Sequence, residues 1–149
     1  MDFDIQFNVP AGWHKEIDIF EDETGAEVTH VEIHKYNAAK KRDDVLGDIY
    51  IGEMPEDTDA EDQAFSNYAD IVGFEDDDPE DFAPIEKIQF NGKTAYSFEA
   101  LCEDDSPMKF ISQEIKKGVL AIMCVAGANE NILDEAFTII ERNMRVKVI

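Results

Sequence analysis

The run His30-Val31-Glu32-Ile33-His34 places an imidazole, a carboxylate and a second imidazole at every other residue. In an extended segment, residues two apart share a face, so all three side chains point the same way. Imidazole and carboxylate together are the donor set of zinc and similar ions. Same-face neighbours along one strand lie ~7 Å apart, however, which is wide for ligating one ion without bending. The HExxH spacing of helical zinc proteases is absent. The pattern therefore reads as a solvated strand face of mixed charge, with a zinc site made from His30, His34 and His14 as the chemical alternative.

A second cluster, Glu75, Asp76, Asp77, Asp78, Glu80 and Asp81, could gather a hard cation. It lacks the spacing of an EF-hand loop. A solvated loop, or an electrostatic docking site for a basic partner, fits it better. Nucleophilic chemistry has little support. Cys102 and Cys124 each sit in an apolar strand pattern, form no CxxC pair and read as internal reduced thiols. No GxSxG, P-loop or Rossmann fingerprint is present. The expectation is a protein without catalytic residues and without a cofactor.

Charge narrows the partners. The chain has 149 residues, 35 acidic and 13 basic, for a net charge of −22. From 43 to 86 there are 17 acidic residues and no Lys or Arg. A field of that sign repels nucleic acid and anionic lipid and attracts cationic surfaces. Lys40-Lys41-Arg42 is too small a basic run to reverse it. No stretch approaches the ~18 apolar residues of a membrane span, and the start has neither the basic nor the apolar part of a secretory signal. These features point to a cytoplasmic chain. Hydrophobic residues at 44% and the length suit one globular domain over 1–149.

The elements that must position these groups follow from periodicity. Phe3, Ile5, Phe7 and Val9 alternate with polar residues and predict a strand. Pro10-Ala11-Gly12 turns the chain, and further strands are expected at 17–20, 27–36 and 48–54, with a polar loop over 37–44. Asp59 can cap a helix over 60–72, with Phe65, Tyr68, Ala69 and Val72 at helical spacing. Asn91-Gly92 joins strands at 85–90 and 93–101, the strongest short hairpin signal. A second hairpin spans 109–115 and 119–125. The latter strand is apolar on both faces, as a central strand covered on two sides should be. Asn129 caps a helix over 130–144 with a stripe of Leu133, Ala136, Phe137, Ile140 and Met144. The class is α+β: a curved, mostly antiparallel sheet of about seven strands with two main helices packed against it.

Certain of these features resemble a known family. Pro10-Ala11-Gly12-Trp13 follows a short first strand, and Asn91-Gly92-Lys93-Thr94-Ala95-Tyr96 follows the mid-chain helix. A long hairpin and a C-terminal helix complete an order similar to the Mog/PsbP-like fold, including bacterial members such as the Eag-type secretion chaperones. The resemblance implies a member acting by binding, with no shared catalytic motif to transfer. The acid loop departs from the family pattern. On this reading the chain is a protein-binding module, a chaperone or immunity-like partner of a basic or amphipathic segment. A metal-binding protein or enzyme centred on His30, Glu32 and His34 is the alternative. A homodimer through a sheet edge or face is a further option. Trp13, Tyr50, Tyr96 and Phe98 would supply apolar contact, and Glu75, Asp76, Asp77 and Asp78 the charge.

A body this acidic repels itself. Its melting temperature should rise as salt goes from about 0.01 M to about 1 M, over which the screening length falls from about 30 to about 3 Å. Differential scanning calorimetry across that series checks it; a flat series contradicts it.

Overall fold

The computed structural model of the chain describes residues 3–72 and 85–148. Seven strands form one antiparallel sheet: β2 (His14–Glu21), β3 (Glu27–Asn37), β4 (Arg42–Glu53), β5 (Glu86–Phe90), β6 (Lys93–Leu101), β7 (Pro107–Lys116) and β8 (Val119–Gly127). Their order is β2-β3-β4-β8-β7-β6-β5. Two meanders thus meet where β4 pairs with β8. A separate ribbon joins β1 (Phe3–Phe7) to β9 (Met144–Val148). Helix α1 (Ala60–Val72) connects the meanders, and helix α2 (Glu130–Asn143) follows β8.

The sheet's two faces bury different things. On one face Val31, Ile33, Ile49, Ile51, Met123, Val125 and Ile111 are 0–1% exposed, beneath Leu133, Ala136, Phe137 and Ile140 of α2. Phe7 from the ribbon and Trp13 join this core. On the other face α1 sets Ala64 over Phe98 and Phe110, a smaller cluster edged by Tyr68, Tyr96, Ile122 and Cys124. As expected, β8 is central, and most of its side chains are buried.

Local chemistry sets the element ends. Asp59 and Asp62 form a reciprocal capping box: Asp62 N–H donates to Asp59 Oδ1 at 2.8 Å, and Asp59 N–H to Asp62 Oδ2 at 3.3 Å. Asn129 Oδ1 accepts from Ile132 N–H at 3.0 Å. Asn91 (φ 52°) and Gly92 (φ 77°) make the predicted tight turn. Buried Gln113 secures that hairpin, its Nε2 donating to the carbonyls of Phe90 at 2.8 Å and Lys93 at 3.2 Å. Those bonds offset the desolvation of its amide.

The structure corrects the sequence reading in several places. β2 starts at His14, not 17, and β4 at Arg42, not 48. The loop expected at 37–44 shrinks to a turn, because Asn37 Oδ1 accepts from the Ala39 and Lys40 N–H groups while its Nδ2 donates to Asp44. Polar residues there pair as strand because backbone partners across the hairpin outweigh composition. The helix expected to reach 144 ends at Asn143, and Met144–Val148 form β9, a strand not anticipated, which pairs with β1. In α1 the deepest side chains are Ala60 and Ala64, and Phe65 is half-buried, because the helix lies close on two stacked phenyl rings. Among the described residues, no helix is long and apolar enough to cross a membrane.

Two substitutions test this packing. A Cβ at Gly127 would lie 2.6 Å from Ile132 Cγ2 and 3.1 Å from the Asp44 carbonyl oxygen. Gly127→Ala should therefore lower stability by about 1–3 kcal/mol as an overpacked contact. Asn129→Ala should lower it by about 1 kcal/mol through loss of the cap. Urea unfolding of both variants is the measurement.

Candidate functional site

The face that carries α1 is only half covered. α1 packs over β6 and β7. Across β8 the same face continues onto β4, β3 and β2, which no helix covers among the described residues. Register decides what stands there. His14 pairs with His34, Glu16 with Glu32, Asp18 with His30 and Phe20 with Val28. On the next strand His34 meets Leu46, Glu32 meets Asp48 and His30 meets Tyr50. Asp48 then meets Cys124, Cys124 meets Phe110, and Phe110 meets Phe98.

One cross-strand row therefore reads Glu16, Glu32, Asp48, with every histidine of the chain in the rows to either side. Directly opposed like charges destabilise a sheet by an amount comparable to the ~0.2–1 kcal/mol a favourable pair contributes. This row has two such pairs in succession. Some compensation is visible. His30 Nε2 lies 2.8 Å from Asp48 Oδ1, with the imidazole donating to the carboxylate. Tyr50 stacks on His30 with ring centres 4.7 Å apart and planes 15° apart, and Phe20 meets Tyr50 edge-on at 6.5 Å. His14 stacks on His34 at 5.2 Å. His34 Nδ1 is buried, 3.8 Å from Glu32 Oε1, and makes no hydrogen bond among the described residues.

Electrostatics follow the row inward. Burial, with Asp48 second, pushes the Cys124 thiol up to about 11. Burial, then Asp48, Cys124 and Glu32, raises the Tyr50 phenol. A thiolate at Cys124 is thus strongly disfavoured near neutral pH, and the side chain is a poor nucleophile. Both cysteines are free and half-buried, less enclosed than the alternation suggested. Elsewhere, a cleft of about 550 Å³ at the sheet end gathers Asp43, Asp44, Asp104 and Asp105 around Arg42.

The residues expected to form a binding surface do not come together. Trp13 is 5% exposed in the core under α2, with Lys35 Nζ 5.7 Å over its ring. Phe98 is 2% exposed beneath α1, on the opposite side of the sheet. Both pack rather than line a groove. Tyr96 is half-buried at the rim of α1. Tyr50 is 38% exposed and belongs to the open face. Glu75, Asp76, Asp77 and Asp78 lie outside the described residues. The expected zinc trio is also rearranged. His14 and His34 stack as a pair, whereas His30 gathers with Glu32 and Asp48, their ligand atoms all within 4.8 Å of one another. Asp48 was missed because its partner strand is set by pairing across the sheet. The only sequence signal for it was that Asp48 and Tyr50 flank inward-facing Ile49.

Comparison of the chain with protein-family models, with curated proteins and with solved structures finds no match in any of the three. The geometry therefore carries the functional argument.

The raised Cys124 thiol has a measurable consequence. In the unfolded chain the thiol ionises near 9, and in the folded protein near 11. Its contribution to stability is present below pH 9 and is lost as pH rises toward 11. By the usual 1.36 kcal/mol per pH unit, that loss is at most about 2–3 kcal/mol. Urea unfolding at pH 8 to 11 should show a steeper decline in the wild type than in Cys124→Ala. Parallel declines would contradict it.

Proposed function

We propose that this protein is a non-enzymatic binding module that takes a basic, amphipathic protein segment along the free edge of β2. The carrying observation is the chemistry of β2 itself. All eight of its residues are exposed, and its outer edge is unpaired among the described residues. Such an edge offers a row of backbone donors and acceptors to an added strand. Its two faces differ. Glu16, Asp18 and Phe20 stand on the open face, whereas Ile17 (41% exposed) and Ile19 (60% exposed) stand on the other. A strand alternating basic and apolar residues would set its cations beside Glu16 and Asp18 and its apolar side chains beside Ile17 and Ile19.

Charge also argues about who the partner is. A second copy added to this edge would set acid against acid, so the edge favours a cationic partner over a homodimer. Tyr50 and Leu46, 38% and 42% exposed, extend the apolar contact onto β4. The Cys124 thiol, held near 11, supports a role in contact rather than in covalent chemistry. Resemblance to the Mog/PsbP-like family and its chaperone members remains part of this proposal. An antiparallel sheet with a helix on either face supports it without identifying the family. Placement in the cytoplasm belongs to the same reading.

A synthetic ten-residue peptide alternating Lys and Val is the probe. Calorimetry should show binding that weakens as salt rises, and hydrogen exchange should show protection of the amides of β2. Charge reversal by Glu16→Lys with Asp18→Lys should weaken binding at least tenfold, while the remote pair Asp104→Lys with Asp105→Lys leaves the β2 protection in place. Binding that ignores salt, or protection elsewhere, would sink the reading.

A further inference from the structure

The in-register acid row and the imidazoles beside it ask for a cation. We propose that His30 Nε2, Glu32 and Asp48 form a binding site for a divalent ion of the zinc class on the open face of β3 and β4. This does not rest on the partner reading, since the ion lies inboard of the edge that a partner strand would occupy.

The geometry is close to what such an ion needs. The three ligand atoms lie within 4.8 Å of one another, with His30 Nε2 and Asp48 Oδ1 2.8 Å apart. A tetrahedral zinc ion with ligands at about 2.0–2.2 Å holds its donor atoms about 3.4 Å apart. Reaching that spacing takes side-chain rotation and no backbone movement. The obstacle of ~7 Å between same-face neighbours on one strand is removed by the cross-strand partner, because Asp48 stands directly opposite Glu32.

The surroundings add independent support. Glu16, Glu32 and Asp48 repel one another in the row, and a dication between the latter two turns repulsion into attraction. Tyr50, stacked on His30, holds the ring against turning away. His34 Nδ1, buried at 3.8 Å from Glu32 with no hydrogen bond, faces the carboxylate that the ion would draw in. An imidazole with two carboxylates selects a borderline ion over calcium or magnesium, which prefer oxygen-only shells. The side chains of His30, Glu32 and Asp48 are 18%, 33% and 36% exposed, so solvent and ions reach the face directly.

The test is zinc chloride titrated by calorimetry into chelator-treated full-length protein, in a large excess of magnesium that saturates non-specific acidic sites. One ion per chain is expected, at micromolar affinity or tighter. Affinity should fall at least tenfold in His30→Gln and in Asp48→Asn, and stay unchanged in Asp104→Asn. Cobalt should give a visible ligand-field band that His30→Gln removes. Glu32→Gln adds a readout that a merely structural role would not produce: it relieves both repulsive pairs, so the metal-free melting temperature should rise while zinc affinity falls. Absence of zinc binding above magnesium, equal binding by His30→Gln in a protein that still melts cooperatively, or a falling metal-free melting temperature in Glu32→Gln would overturn the proposal.

Discussion

The antiparallel pairing of β4 with β8 is the interaction on which the rest of this molecule depends. It joins two meanders that are far apart in sequence, with α1 and the acidic segment between them. Without it, α2 would lose the surface it spans between β4 on one side and β8 and β7 on the other. With it, Ile49 and Ile51 meet Met123 and Ala121 on the face that α2 covers, while Asp48 and Tyr50 meet Cys124 and Ile122 on the face that α1 reaches only in part. Because side chains alternate strictly, a one-residue slip would carry acids into the core and isoleucines into water. The same register that protects the core therefore places the acid row.

Uneven cover is the second theme. α2 and the β1–β9 ribbon close one face from β4 to β7, and residues there fall to nearly complete burial. α1 lies over β6 and β7 alone, so burial on its face fades from Phe98 and Phe110, through half-buried Cys124, to the exposed ring of Tyr50. Along this gradient the local medium changes from apolar to aqueous. That is why one carboxylate, Asp48, acts on both a raised thiol on its inner side and an imidazole on its outer side. The larger of the two buried apolar clusters lies on the other face, away from this row of charge.

Much of the fold was legible beforehand, and for identifiable reasons. Residues with local signals came out correctly: Asn129 and Asp59 as caps, Asn91-Gly92 as a turn, the stripe from Leu133 to Ile140 as the buried side of α2. Each of these depends on neighbours within a few positions. Elements whose signal is non-local did not. β9 has no turn signal of its own and exists because β1 lies beside it. The first residues of β4 are polar and became strand because Tyr36 and Asn37 of β3 offered partners across the turn. The candidate site divided in the same way. That His30, Glu32 and His34 share a face could be read from spacing. Trp13 and Phe98 were assigned to a contact surface because an aromatic after a turn or on a strand has the same local pattern whether a helix covers it or not.

What the sequence determined by itself was the periodicity of each segment, the caps and turns that end them, and the sign and size of the charge. These follow from interactions between residues close along the chain or from simple counting. Only the tertiary structure decided which strands are neighbours and in what register, and hence that Asp48 opposes Glu32 and lies against His30. A strand carries no information about its lateral partner until the backbone bonds between them form. The chemistry of this face is a property of the pairing and of no single segment.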